Sequence, residues 1–475
     1  MIQIVYAPQI DQYALRMSKV LIANRGEIAI RVARAADELG IATVAIFSED
    51  DARSLHVRKT SEAVALAGRG PVAYLDIDQI IALALKTGCE AIHPGYGFLS
   101  ENLEFARRCR DEGLVFVGPQ TNLVELFGDK LRARRLAERC GVPVAAGTSG
   151  PTSVEEARSF MHSLGQDASI MIKAVAGGGG RGMRAVTNPD EIPEAFARCR
   201  AEMSATGNTD LYVERLIAEA RHIEVQIAGD ATGRVTHLWE RECTLQRRHQ
   251  KLVEVAPSAS LSSSLRAQII EAALRMAREA GYSNLGTFEF LVDAGHDQAA
   301  PDDVLFVFIE ANPRLQVEHT VTEAVTGVDL VKTQLQLAAG ATLAELRLDG
   351  TAPAPVGCAL QLRINAETML PDGSVKPAAG VLTAFDPPGG PGIRVDTCGY
   401  AGYAANPQFD SLLGKLVVHS ASPRWEEAVA KAYRALCEFR IQGVHTNIGF
   451  LQNLLCHPDV IANRLTTRFV EQHAA

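Results

Sequence analysis

Residues 19–47 leave few folds open. Lys19-Val20-Leu21-Ile22-Ala23 is an apolar run of buried-strand length, and Gly26 turns the chain into a stretch, 27–39, whose apolar residues recur at helical spacing. Gly40 stops that helix, and residues 41–47 read as a second strand. Strand, helix and strand in so short a span predict a βαβ unit, and therefore a parallel sheet covered by helices. Short apolar strands at 91–92 and 115–117 alternate with helical stretches, so the chain to about Gly118 predicts a doubly wound domain. The turn Asn24-Arg25-Gly26-Glu27 lacks G-x-G-x-x-G spacing, which argues against a nicotinamide or flavin site there.

At 475 residues, 47% of them hydrophobic, the chain has material for roughly three domains with cores of their own. Its 47 Lys and Arg against 56 Asp and Glu include no long basic run, so a nucleic-acid or anionic-membrane surface is not indicated. No uninterrupted apolar stretch reaches about 18 residues, which argues against a membrane-spanning helix. Nine scattered cysteines without a CxxC pair suit free, packed thiols in a reducing compartment, and a cytoplasmic protein is expected. The first 17 residues lack the basic start, apolar middle and small-residue cleavage site of a secretory signal; an over-extended start or a short ordered arm accounts for them.

Residues 144–216 read as a small unit of the size of a mobile lid: a helix, a strand at 170–175, a glycine run, a strand at 183–186, a helix and a strand at 211–216. Strands at 223–227, 287–292 and 304–310 follow, then a strand set from 359 to 418 and a last helix beginning near Trp425.

The strongest local signal is Lys173-Ala174-Val175-Ala176-Gly177-Gly178-Gly179-Gly180-Arg181-Gly182-Met183. Consecutive glycines let backbone N–H groups wrap phosphate oxygens closely, and four in a row exceed what a hairpin turn needs. G-x-x-x-x-G-K-[ST] spacing is absent, so the phosphate grip belongs to a nucleotide fold other than the P-loop. Glu289 and Glu310 sit in otherwise apolar strand patterns, and period-two geometry places Glu310 and Asn312 on one face if the strand persists that far. A magnesium ion completed by nucleotide phosphates would compensate such carboxylates; an arginine ion pair would serve either one alone.

Arg221-His222-Ile223-Glu224-Val225-Gln226 alternates strictly, as a polar lining or an exposed sheet face would. Arg247-Arg248-His249-Gln250-Lys251 and Arg314-Leu315-Gln316-Val317-Glu318-His319 gather donors beside a lone carboxylate. Such a set suits a small oxyanion, with Lys251 and Arg314 supplying charge and Glu318 able to remove a proton; a solvated charged loop is the competing reading.

Read in order, these segments join others: Ile22-Ala23-Asn24-Arg25-Gly26-Glu27, His93-Pro94-Gly95-Tyr96-Gly97-Phe98-Leu99-Ser100-Glu101-Asn102, Gly128-Asp129-Lys130, Glu310-Ala311-Asn312-Pro313-Arg314 and Arg363-Ile364-Asn365-Ala366-Glu367. With them the chain resembles the biotin carboxylases, the ATP-grasp subunit or domain of acetyl-CoA, propionyl-CoA, methylcrotonyl-CoA, pyruvate and urea carboxylases, from about Lys19 to Thr466. The resemblance implies an α/β chain, α+β in its C-terminal part. A doubly wound N-terminal domain (18–130) would precede an ATP-grasp domain (131–345, with the lid at 144–217) and a biotin carboxylase C-terminal domain (352–465).

The same resemblance assigns roles. Lys130 and Lys173 would bind ATP phosphates under a loop containing Gly177, Gly178, Gly179, Gly180 and Gly182. Glu214, Leu216, His222 and Leu291 would surround adenine and ribose, with Met183, Gln246 and His249 also at the nucleotide. Two Mg²⁺, for which Mn²⁺ could substitute, would sit between Glu289, Glu310, Asn312 and the phosphates. Bicarbonate would be held by Lys251, Arg314, Gln316 and the backbone of Val317, with Glu318 as general base and Arg363 stabilising the enolate-like ureido oxygen of biotin.

The implied reaction is carboxylation of carrier-bound biotin through carboxyphosphate, the first half-reaction of an acetyl-CoA or acyl-CoA-type carboxylase, with a place in fatty acid biosynthesis. Expected partners are a biotin carboxyl carrier, a carboxyltransferase and a second copy of the chain. None of the ten lysines sits in a Met-Lys-Met acceptor hairpin, so carrier and transferase functions are expected on other chains or on another part of a longer polypeptide. Two rivals remain: another ATP-grasp ligase with an acyl or carboxy phosphate, and a nucleotide-binding regulatory subunit without catalysis.

Overall fold

Strand Lys19–Ile22 is apolar on both faces, and parallel neighbours flank it: Ala42–Phe47 on one side and Ala91–His93 on the other. Glu62–Ala65 and Val115–Phe116 extend this to a five-stranded parallel sheet in the computed structural model, which describes residues 17–165, 168–175, 182–204, 209–294, 306–350, 352–370 and 374–473. The expected βαβ unit is present, with helix Gly26–Glu38 stopped by Gly40 in the left-handed region at φ 72°. Edge strand Glu62–Ala65 was not expected: it is only four residues long, and none of its side chains is fully buried.

Helix Gly26–Glu38 buries Ile28, Val32 and Ala36 against Val20 and Ile22, and also against Leu330, Val331 and Leu335 of helix Leu330–Ala338. The first sheet is thereby locked onto the segment that carries the second one. That second sheet has eight antiparallel strands in the order Phe306–Asn312, Asn284–Asp293, Ala220–Gly229, Val235–Arg247, Gln250–Ala256, Cys358–Asn365, Leu412–Ser420, Ile393–Thr397. It joins strands from before residue 345 to strands after residue 352, because Gln250–Ala256 pairs directly with Cys358–Asn365.

Alternation divides this sheet into two chemistries. Ile223, Val225, Ile227, Phe288 and Phe290 meet helix Ser263–Glu279, and Val253, Leu360, Leu362, Leu416 and Val418 meet helix Trp425–Glu438. The intervening residues His222, Glu224, Gln226, Glu289, Gln361 and Lys415 are polar and also buried. The exposed-face reading of the His222-Glu224-Gln226 alternation is thus wrong: all three are buried, Glu224 and Gln226 bonding to Arg241, which in turn meets Thr322 of helix His319–Thr326.

The small unit at 144–216 forms a three-stranded antiparallel sheet, Met183–Val186, Ile170–Ala174 and Leu211–Arg215, under helices Val154–Ser163 and Ile192–Met203. Its core of Ala157, Ile170, Ile172, Phe196 and Val213 is its own. A capping box between Ser153 and Glu156 starts its first helix.

Helix Trp425–Glu438 is not the last: Ile448–Cys456, with Ile448, Leu451, Leu454 and Leu455 at helical spacing, and the brief Pro458–Ile461 and Phe469–His473 follow it. All nine cysteines are free, but Cys437 and Cys456 are exposed rather than packed. Among the described residues no helix is long and apolar enough to cross a membrane.

Candidate active site

Strand register builds the site before any loop is needed. Glu310 lies opposite Glu289, Glu289 opposite Glu224, and Glu224 opposite Arg241, so one row across four strands carries three carboxylates and a guanidinium. The strand does persist to Asn312, which pairs with Thr287 one step along. Three adjacent carboxylates in a low-dielectric interior repel one another unless cations are interleaved.

Arg241 supplies the first. Fully buried, it spends all five of its donors: Nε on Glu224, Nη1 on Gln226 Oε1 (2.8 Å) and Thr322 Oγ1 (3.1 Å), Nη2 on Thr287 Oγ1 (3.0 Å) and Gln316 Oε1 (3.2 Å). Lys251 supplies the second. Its ammonium donates to Glu224 Oε2 (2.6 Å), Glu289 Oε1 (3.1 Å) and Glu318 Oε1 (2.6 Å), one proton for each carboxylate. Burial disfavours its charge, but the surrounding anionic groups hold its pKa well above the usual lysine value.

Glu318 immediately precedes helix His319–Thr326 and is 2% exposed. Lys251 takes one of its oxygens and Arg363 Nη2 the other, at 3.1 Å. Burial raises the proton affinity of this carboxyl, and Lys251, Arg363 and Arg241 together outweigh it, leaving the pKa below the ordinary glutamate range. Glu289 behaves alike: burial is overcome by Lys251 and His222. Its oxygens also accept from Asn312 Nδ2 (2.8 Å), Gln316 Nε2 (2.7 Å) and His222 Nε2 (2.6 Å).

The remaining expected residues divide into two groups. Gln246 Nε2 touches His222 Nδ1 at 2.6 Å, and Arg314 pairs with Glu101 (3.0 Å) and Asn312 Oδ1 (3.0 Å), tying the first domain to this floor. Lys130 is 3.6 Å from Glu310. The Val317 carbonyl accepts from Lys415 Nζ at 3.1 Å. Leu291 faces His222 across the strand pair. His249 and Arg248 form the two-residue hairpin after Arg247, both at positive φ (65° and 48°), a conformation that normally selects Gly or Asn and costs on the order of 1–2 kcal/mol per residue here.

Lys173, Glu214, Leu216, Gly182 and Met183 lie in the three-stranded unit instead. Lys173 Nζ bonds to Glu214 Oε2 (2.5 Å), and Arg134 holds the other oxygen at 2.8 Å. Gly182, at φ +65°, has room for no side chain against Ala174 and Met203. Gly177, Gly178, Gly179 and Gly180 lie outside the described residues.

Sequence reasoning left out Arg241, Arg134, Glu254 and Lys415, and gave Glu224 no role of its own. Charged residues inside a long strand, as in Trp239-Glu240-Arg241-Glu242-Cys243, were the available signal for Arg241. Arg134, on an ordinary amphipathic helix, offered none.

The oxygen donors fit a hard divalent cation. Glu310 and Glu289 face each other in register, Glu310 keeps a quarter of its side chain exposed, and Asn312 sits beside them.

Comparison with known proteins bears on this geometry. Residues 16–124 match the biotin carboxylase N-terminal domain, 129–346 the carbamoyl-phosphate synthase L chain ATP-binding domain, and 361–472 the biotin carboxylase C-terminal domain. The pyruvate carboxylase of Bacillus subtilis is 47% identical over 463 residues, 96% of this chain and 39% of the relative, so the chain spans about two fifths of such relatives. Among solved structures, the biotin carboxylase domain dimer of Hydrogenobacter thermophilus 2-oxoglutarate carboxylase, in complex with MgADP, ADP and bicarbonate, superposes with a TM-score of 0.89 at 42% identity, covering 96% of this chain and 98% of that one. Campylobacter jejuni biotin carboxylase, in a β-γ-ATP complex, gives 0.90 at 36%, covering 97% and 100%. The expectation of an acetyl-CoA carboxylase in fatty acid synthesis is not specific, because the curated relatives are pyruvate carboxylases. With these three domains matched in order, and with likeness running the full length of the Campylobacter jejuni chain, this chain belongs to the biotin carboxylases.

Proposed function

We propose that this chain uses ATP to activate bicarbonate and carboxylates biotin presented by a carrier domain. One observation carries the reading: Lys251 bridges Glu289, on the metal side, to Glu318, on the side of Arg363, so a single ammonium joins the two halves of the chemistry.

Lys251 and Arg314 would orient bicarbonate beside Gln316 and the Val317 backbone. An anion that draws Lys251 toward itself withdraws that cation from Glu318, which raises the proton affinity of the carboxylate at the moment bicarbonate arrives. Glu318 then takes the proton, and the bicarbonate oxygen attacks the γ-phosphorus of ATP, with ADP leaving. Carboxyphosphate breaks down to CO₂ and phosphate, phosphate accepts the N1′ proton of biotin, Arg363 meets the charge developing on the ureido oxygen, and N1′ adds to the CO₂ carbon to give carboxybiotin. Glu289, Glu310 and Asn312 would hold magnesium, whose contribution when bound is to neutralise the transferring phosphates.

Lys130, Lys173 and the glycine loop would grip those phosphates. The unit at 144–217 would close over them and keep water from the carboxyphosphate. Glu214, Leu216, His222, Leu291, Met183, Gln246 and His249 are assigned to the nucleotide. A biotin carrier, a carboxyltransferase and a second copy of the chain are the proposed partners, with the final acceptor determined by the transferase.

The test is ATP hydrolysis by the purified chain with Mg²⁺. Stimulation by bicarbonate, and carboxybiotin formation on adding free biotin, support the reading; hydrolysis indifferent to both contradicts it.

A further inference from the structure

The proposed reaction gives Glu318 a proton and leaves Arg363 with one counter-charge fewer. Arg363 cannot then be held in place by Glu318 alone. Its side chain is 19% exposed, and a guanidinium so enclosed follows whichever anion remains.

A second carboxylate is present. Glu254, on strand Gln250–Ala256, is completely buried, and its Oε1 accepts from Arg363 Nε at 2.6 Å. The two carboxylates take different nitrogens of the guanidinium, Glu254 the Nε and Glu318 the Nη2. Glu254 is fixed in turn: register places Gln361 directly across from it, and Gln361 Nε2 donates to Oε2 at 2.9 Å. Thr320, two residues beyond Glu318, donates to Gln361 Oε1, so the clamp is anchored to the helix that bears the base. Asn447 Nδ2 holds the Arg363 carbonyl at 2.8 Å. Arg363 is thus pinned by backbone and at Nε without any help from Glu318.

We propose that Glu254 is the positioning residue for Arg363, fixing the guanidinium plane toward the biotin ureido oxygen while Glu318 changes its protonation state. This rests on the assignment of Arg363 to biotin made above. Glu254 touches no substrate; it acts only through the arginine.

The test is steady-state carboxylation of free biotin by the purified chain and its Glu254→Gln and Glu254→Ala variants. Glutamine keeps an acceptor but no charge, and alanine keeps neither. The expected loss in kcat/KM for biotin is about tenfold for Gln and about a hundredfold for Ala. The KM for bicarbonate and the affinity for MgADP are expected to move by less than about threefold, which also reports that the variants are folded. A Glu254→Ala variant with wild-type kcat/KM for biotin overturns the inference, as do equal losses in the biotin and bicarbonate parameters. If the wild-type chain itself shows no biotin dependence, the assignment of function fails first.

Discussion

Arg363 Nη2 and Lys251 Nζ approach opposite oxygens of the Glu318 carboxylate, at 3.1 and 2.6 Å, so the carboxylate proposed as the base is ion-paired on both sides. Before substrate arrives it is a weak base, held below the ordinary glutamate range by cations that outweigh burial. In the proposed reaction, bicarbonate binding is what releases its basicity.

Glu318→Gln removes that proton acceptor while keeping the shape. Bicarbonate-dependent ATP hydrolysis is expected to fall by about 10² to 10⁴, with MgADP affinity retained, as measured by rapid assay and calorimetry. Loss of nucleotide binding as well would show that the base has been misplaced.

Arg241→Lys tests whether the row of carboxylates depends on its buried guanidinium. Lysine keeps the charge but offers three donors where five partners are now satisfied. Leaving buried acceptors unpaired is expected to cost about 2–4 kcal/mol, read as a lowered melting temperature at pH 7.

Two pH windows follow from the buried titratable groups. His56 and His93 are completely buried, and burial lowers their pKa values to about 4 and about 3. A base whose folded pKa is depressed stabilises the fold above its unfolded value, near 6.5, and that stability drains away as pH falls through the interval. For His56 the loss between pH 6.5 and 4 is about 3 kcal/mol, and His56→Gln is expected to flatten the slope of stability in that window, measured by urea unfolding. Glu289 and Glu318, depressed from the carboxylate range, withdraw their contribution only below about pH 4.5.

Much of this was legible in the residues, for identifiable reasons. The strand, glycine turn, helix and glycine stop at 19–47 are local, and the strand bearing Glu310 and Asn312 follows from period two. Edge strand Glu62–Ala65 and the helices after Trp425–Glu438 were missed because they are short: four residues in the strand, and nine, four and five in the helices. The burial of His222, Glu224 and Gln226 was not readable at all: the same alternation serves a wet sheet face, and the partners that cover it here, Glu289, Arg241 and Lys251, come from other strands. Lys415 is a lone lysine in an apolar strand whose partners, Glu27 and Val317, come from two other parts of the chain. Such residues acquire a role only once the sheets are joined.

The central claim is that a bicarbonate oxygen attacks the γ-phosphorus in a pocket where Lys251 joins both halves of the site. ¹⁸O-labelled bicarbonate, turned over with unlabelled ATP and water, reads this directly by mass spectrometry of the released phosphate. One labelled oxygen per phosphate is expected, because that oxygen stays with phosphorus when carboxyphosphate releases CO₂. Phosphate carrying only unlabelled oxygen would mean that water attacks instead, and the chemistry assigned to Lys251 and Glu318 would be wrong.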